Sequence, residues 1–194
     1  MKKIIIGIDP GSLNFGYSVL EQEGNLIRSL DFGVVKPSAS TPLHERLFQI
    51  FEAMEKIFNR FPPSLVSIEE VFYHKNIRSA VVLAQARAIG LILASRFRAE
   101  LREYSAKKIK LSVTGTGSAS KEAVQRMICK ILHLEEGMRL DASDALAIGL
   151  CAHFDSLSPF TSSSNSSGKP KKKILKSEGW TLDAIRNRGL KIRS

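Results

Sequence analysis

Apolar residues recur along this chain with two periods, and the change from one to the other marks its elements. Residues 3–8 form a short apolar run that ends at Asp9-Pro10-Gly11. A run bounded by turn residues predicts a strand, and residues 16–20 and 26–35, separated around Glu23-Gly24, predict two more. Three strands so closely spaced predict an antiparallel meander. From Pro42, at a first helical position after Thr41, the spacing becomes three and four: Leu43, Leu47, Ile50, Phe51, Met54, Ile57, Phe58 and Phe61. These residues bury one face of a long helix, which Pro62-Pro63 ends. Residues 65–68 are then a continuous apolar strand running into Glu69-Glu70.

Residues 79–97 are rich in Ala, Gly and β-branched side chains and predict a helix that lets another element approach closely. A short strand at 101–104 leads into a basic stretch with Lys107, Lys108 and Lys110, and Gly115-Thr116-Gly117-Ser118 breaks the chain. Behind the break, Val124, Met127, Ile128 and Ile131 make a helical stripe. A last helix, from about Leu140, is apolar nearly all round over 145–154 and is expected to be buried. Strands first, then helices alternating with strands, predict an α/β fold.

Composition bounds the function. At 194 residues, 43% hydrophobic and 25% charged, the chain suits one folded domain and a remnant. Two cysteines make no disulfide framework, which points to a reducing compartment and a cytoplasmic location. Ile4-Ile5-Ile6 is far short of a signal or spanning segment, so secretion and membrane insertion are not expected. The net charge of +10 is uneven: residues 160–194 carry nine Lys+Arg and two acids, leaving twenty against seventeen in residues 1–159. The organisation expected is a body over 1–159 and a flexible Ser-rich linker with a basic tail over 160–194. A tail that aids solubility and an arm that contacts phosphates fit equally well. Net charge favours a polyanionic partner without naming one.

Carboxylates stand where a core should be dry. Asp9 ends the first strand, Glu69 ends the fourth, and Asp141 and Asp144, three apart, project from one face of the last helix. Singly, each has a plain structural reading: a turn residue before Pro10-Gly11, a solvated strand end, an N-cap and a first-turn acid. Together, carboxylates converging in an apolar setting imply a shared cation. All-oxygen ligation suits Mg²⁺ or Mn²⁺ rather than Zn²⁺.

Five motifs stand in register over residues 3–155: Ile8-Asp9-Pro10-Gly11-Ser12 with Gly16-Tyr17; Ile68-Glu69-Glu70-Val71-Phe72; Gln85-Ala86-Arg87; Gly115-Thr116-Gly117-Ser118-Ala119 with Lys121; and Asp141-Ala142-Ser143-Asp144-Ala145-Leu146-Ala147-Ile148. Together they resemble the RuvC family of Holliday-junction resolvases. The tail lies beyond them. The resemblance implies a ribonuclease H-like fold with a five-stranded mixed sheet flanked by helices, and a homodimer that nicks two opposed strands of four-way junction DNA. It implies two Mg²⁺ ions per site, with Mn²⁺ as substitute, and a branch-migration helicase complex of the RuvA and RuvB type as partner. The family's catalytic and metal-binding acids fall on Asp9, Glu69, Asp141 and Asp144; Glu70 is not counted. Phe72 falls where the family places an aromatic against unstacked bases, with core packing as its plain alternative. Lys110 and Lys121 match lysines near the phosphates, and Arg87, Lys107 and Lys108 complete the expected DNA-binding set.

Rival readings have their own signatures. Gly7-Ile8-Asp9-Pro10-Gly11-Ser12 also looks like the phosphate loop of actin-like ATPases and sugar kinases, but those need a second such domain and a second Asp-x-Gly loop. An rRNA-processing nuclease of the same fold should lack the Gln-Ala-Arg and Asp-Ala-Ser-Asp motifs in this spacing. A junction-binding architectural protein would not need all four acids.

Overall fold

The three leading apolar runs form β1 (Lys2–Asp9), β2 (Phe15–Glu23) and β3 (Leu26–Val35), paired as the expected antiparallel meander. On the other side of β1 lie β4 (Leu65–Glu69) and β5 (Glu100–Tyr104), paired in parallel, so the mixed sheet has five strands in the order β3-β2-β1-β4-β5. The computed structural model describes residues 2–70, 77–135 and 140–157, all within the unit Met1–Thr161. Five helices complete the described residues: α1 (Leu43–Arg60), α2 (Ile77–Arg96), α3 (Ala106–Thr114), α4 (Lys121–Leu132) and α5 (Leu140–Leu157). A parallel pair needs a crossover, and α2 supplies it between β4 and β5.

Side chains alternate across a strand, and this sorts the core into two layers. Ile6, Ile8, Phe15, Val19, Val66 and Ile68 pack with Ile50, Met54 and Phe58 of α1 and with Ile89 and Leu93 of α2. The alternate positions Ile5, Leu20 and Leu65 pack with α5 and with the buried sides of α3 and α4. Each such aliphatic or aromatic side chain contributes about 1.5–3 kcal/mol when fully buried. Removing the apolar surface of both layers from water therefore holds the sheet between two sets of helices.

Two local differences from the sequence expectation have clear causes. Pro42 is the N-cap of α1 rather than its first helical residue, with an extended ψ of 150°. The basic stretch after β5 is helix α3, which the charge pattern concealed: Ile109 and Val113 are buried while Leu111 between them is exposed. Its ends are well marked, by the Ser105 hydroxyl accepting from the Lys108 amide and by Gly115 at φ 79°.

Among the described residues α2 alone is long and apolar enough to cross a membrane by length and composition. Its inner side belongs to the core, where Ala86, Ile89, Gly90, Leu93 and Ala94 are buried. Gly90 gives the close approach expected of this helix, because a Cβ there would press on the side chains of Ile8 and Ile68.

Candidate active site

The alternation that builds the core also gathers the acids. Ile5 packs on the α5 side of β1 and Leu65 on the α5 side of β4, so Asp9 and Glu69, four residues further along each strand, point the same way. β1 and β4 are parallel and paired Ile8↔Ile68, which brings Asp9 and Glu69 out at one edge of the sheet. Above that edge runs α5, whose first turns carry Asp141 and Asp144. Hydrogen bonds seat it there: the Ser18 hydroxyl donates to the Ala145 carbonyl at 2.8 Å and the Ser67 hydroxyl to the Ile148 carbonyl at 3.2 Å. Gly16, opposite Asp9 in the β1–β2 ladder, leaves room for the Asp141 carbonyl.

The electrostatics record this crowding. Burial, and then the neighbouring charges of Asp144, Glu69 and Asp141, push the Asp9 carboxyl up to about 7, against the opposing pull of Lys121. Lys121, the first residue of α4 after the Ser120 N-cap, places its ammonium 2.7 Å from Asp144 Oδ2. That hydrogen bond, with the fields of Asp9 and Asp141 behind it, raises the Lys121 pKa. A pocket of about 140 Å³ opens here, lined by Glu69, Asp144, Lys110 and Lys121 over Ile109, Val124 and Ile148. Among the described residues no three His, Cys, Asp or Glu side chains close on one point as a finished ion cage. Asp144 closes on the Lys121 ammonium instead. The donor set is nevertheless that of a hard divalent cation, all oxygen, with one carboxyl raised to about 7 by burial first and by the charges of the other three acids second.

The family model for the crossover junction endodeoxyribonuclease RuvC matches residues 5–153. The chain belongs to the RuvC family. A RuvC from Chloroherpeton thalassium is 38% identical over 185 residues, 95% of this chain and 96% of that protein. An alignment this long reaches into the tail, past the motifs that carry the resemblance. The solved RuvC of Thermus thermophilus aligns with a TM-score of 0.72 at 32% identity, covering 79% of this chain and 95% of that one. The same protein in complex with a Holliday junction substrate aligns at 0.74 and 31% identity, covering 79% and 94%. The ribonuclease H-like fold expected from the motifs is thus the fold of the family.

The basic residues that the RuvC motifs point to are distributed unevenly about the pocket. Lys110 and Lys121 line it, and Lys107 packs its stem against Gly117 in the adjoining turn. Lys108 faces another neighbour: its ammonium lies 2.8 Å from Asp155 and over the Tyr104 ring, tying α3 to α5 and β5. Arg87 is engaged by the Glu69 carbonyl and by Glu103. Phe72 and the tail lie outside the described residues. Glu103, Asp155, Ser18 and Ser67 were not singled out from the sequence. Ser18 and Ser67 carried a signal, since each is a polar residue on a buried strand face.

At Gly7 α5 lies close on β1, because a Cβ there would run into the Ala145 carbonyl and the Gly149 amide. Both obstacles are backbone, so Gly7→Ala must lift the helix that carries Asp141 and Asp144. We expect it to lower the melting temperature by roughly 5–10 °C and to depress activity with it. An unchanged melting curve would show that α5 is not seated on β1 at this point.

Proposed function

We propose that this chain resolves Holliday junctions, cutting two opposed strands of four-way junction DNA by metal-dependent hydrolysis. The observation that carries the reading is the placement of Asp9 and Glu69 at one edge of the sheet beneath the start of α5, where burial and then Asp144, Glu69 and Asp141 raise the Asp9 carboxyl. Mg²⁺ ions, two per site, or Mn²⁺ in their place, would activate water and stabilise the leaving 3′ oxygen when bound. Asp9, Glu69 and Asp144 would hold them, with Asp141 orienting or ligating. Lys110 and Lys121 face the phosphate from the pocket wall, and Lys107 extends the basic rim. Phe72 is assigned to the unstacked bases at the branch point. The basic tail, residues 160–194, adds to the attraction for DNA, and a branch-migration helicase complex delivers the junction.

The test is a synthetic four-way junction labelled on each strand. Symmetric nicks that need Mg²⁺ and stop on chelation, with junction binding retained, support the reading. Binding without nicking at any Mg²⁺ or Mn²⁺ concentration would make the protein an architectural one.

Two opposed cuts are most simply made by two copies related by a twofold axis. The outward side of α2 suits the contact: Ile77, Val81 and Ile92 are 68%, 51% and 57% exposed on a helix whose small residues Ala84 and Ala88 lie between them. Unpartnered apolar surface of this kind is what an interface covers. Ile92→Asp is expected to convert a dimer into a monomer in sedimentation at micromolar concentration and to abolish paired nicking. A monomeric native chain, with and without junction, would remove α2 as the interface.

A further inference from the structure

Arg87 is the single charge in residues 79–95 of α2, and its guanidinium is not spread over solvent. Nε donates to the Glu69 backbone carbonyl at 3.3 Å, and Nη2 lies 2.7 Å from Glu103 Oε2. The Arg87 side chain is only 16% exposed. One planar fork thus joins the end of β4, the adjacent strand β5 and the helix that crosses between them.

The end of β4 needs such a partner. The β1–β4 pairing stops at Ile8↔Ile68, one residue before Glu69, and β1 is followed by Pro10, which has no N–H to offer. On the β5 side the Glu70 amide still donates to the Tyr104 carbonyl at 2.9 Å. Glu69 is thus paired with Tyr104 on the β5 side but lies past the end of the ladder on the β1 side, and its carbonyl accepts from Arg87 Nε. Arg87 fixes this carbonyl from the side that β1 leaves open, and a displacement of about 1 Å at such a residue is enough to cost a catalyst about 100-fold.

The geometry points to Arg87 and Glu103 as a positioning pair that fixes the backbone of Glu69, rather than to Arg87 as a phosphate contact. The inference rests on the reading of Glu69 as a ligand in a junction nuclease. It predicts opposite signs from the DNA-binding alternative. If Arg87 held phosphate, Glu103 would compete for it, and Glu103→Gln would tighten junction binding. As a positioning pair, losing either member loosens Glu69 and leaves binding alone.

The experiment measures junction nicking, metal-free junction binding at several salt concentrations, and Mn²⁺ binding by calorimetry. For Arg87→Ala we expect kcat about 10–100-fold lower, KM and metal-free junction affinity within about twofold of native, and Mn²⁺ affinity about 10-fold weaker. Arg87→Lys should recover only part, because a lysine keeps the charge but not the fork. Glu103→Gln should lower kcat in the same direction by about 3–10-fold. Native kcat in Arg87→Ala overturns the inference. So does a loss of junction affinity with a salt slope shallower by about one, accompanied by tighter binding in Glu103→Gln. If Arg87→Ala does not fold, Arg87→Lys and Glu103→Gln decide between the same outcomes. If the native chain does not nick at all, the functional reading alone fails. The Mn²⁺ titration then still decides, since unchanged affinity in Arg87→Ala overturns the pair.

Discussion

Asp9→Asn should abolish nicking while making the metal-free protein more stable at alkaline pH. The expected loss of rate is at least about 10³-fold, because Asn removes a charge assigned to the ions and leaves an amide of the same shape. The gain in stability follows from the Asp9 carboxyl, raised from 3.8 to about 7 by burial and by Asp144, Glu69 and Asp141. Below about pH 4 the folded and unfolded chains both hold this proton. Between about 4 and 7 the unfolded chain releases it and the folded chain does not, so ionisation favours unfolding more with each step up in pH. Above 7 the penalty is complete, at up to about 4 kcal/mol for a shift of this size. In chelator at pH 8, Asp9→Asn should therefore melt higher than the native chain by roughly 5–10 °C, and the difference should shrink toward pH 4. The same proton competes with metal, so Mn²⁺ affinity of the native chain should fall about tenfold per unit below pH 7. A variant that still nicks, or one that melts lower at pH 8, would remove Asp9 from the centre of the site.

Lys121→Met should come second in size. The Lys121 ammonium lies 2.7 Å from Asp144 and also lines the pocket that would receive a phosphate. Removing a positioned charge from such a site costs about 10²–10³-fold in kcat. It also deprives Asp9 of the one neighbour that lowers its pKa, so the carboxyl should rise further and the acidic limb of the pH–rate profile should move to higher pH. Lys121→Arg keeps the charge and should hold that limb near its native position even where the rate falls. A Lys121→Met enzyme with native rate and native pH profile would reduce Lys121 to a structural counter-charge.

Much of this site was legible before any coordinates, for an identifiable reason. Asp9 and Glu69 each terminate an apolar run, and Asp141 and Asp144 interrupt the most apolar helix, so all four stand out against a hydrophobic background. The cations did not stand out in the same way. Lys107, Lys108 and Lys110 read alike in sequence, yet Lys110 lines the pocket and Lys108 pairs with Asp155 on the far part of α5. The partners of Arg87, the Glu69 carbonyl and Glu103, come from β4 and β5, so its own helix gave no sign of them. Helix α3 was missed because exposed Leu111 stands between the buried Ile109 and Val113, so the short stripe lost its helical period among lysines.

By itself the sequence determined the order and period of every element but α3, which residues are acids at element ends, and the family. These are properties of neighbours in the chain, set by side-chain period, turn residues and caps. Only the tertiary structure decided that β1 and β4 lie side by side and parallel, so that residues 9 and 69 share one edge with residue 144 above it. It also decided which cation serves which acid. A long charged side chain takes the partner within its reach, and reach is set by strand order and helix seating over the whole fold.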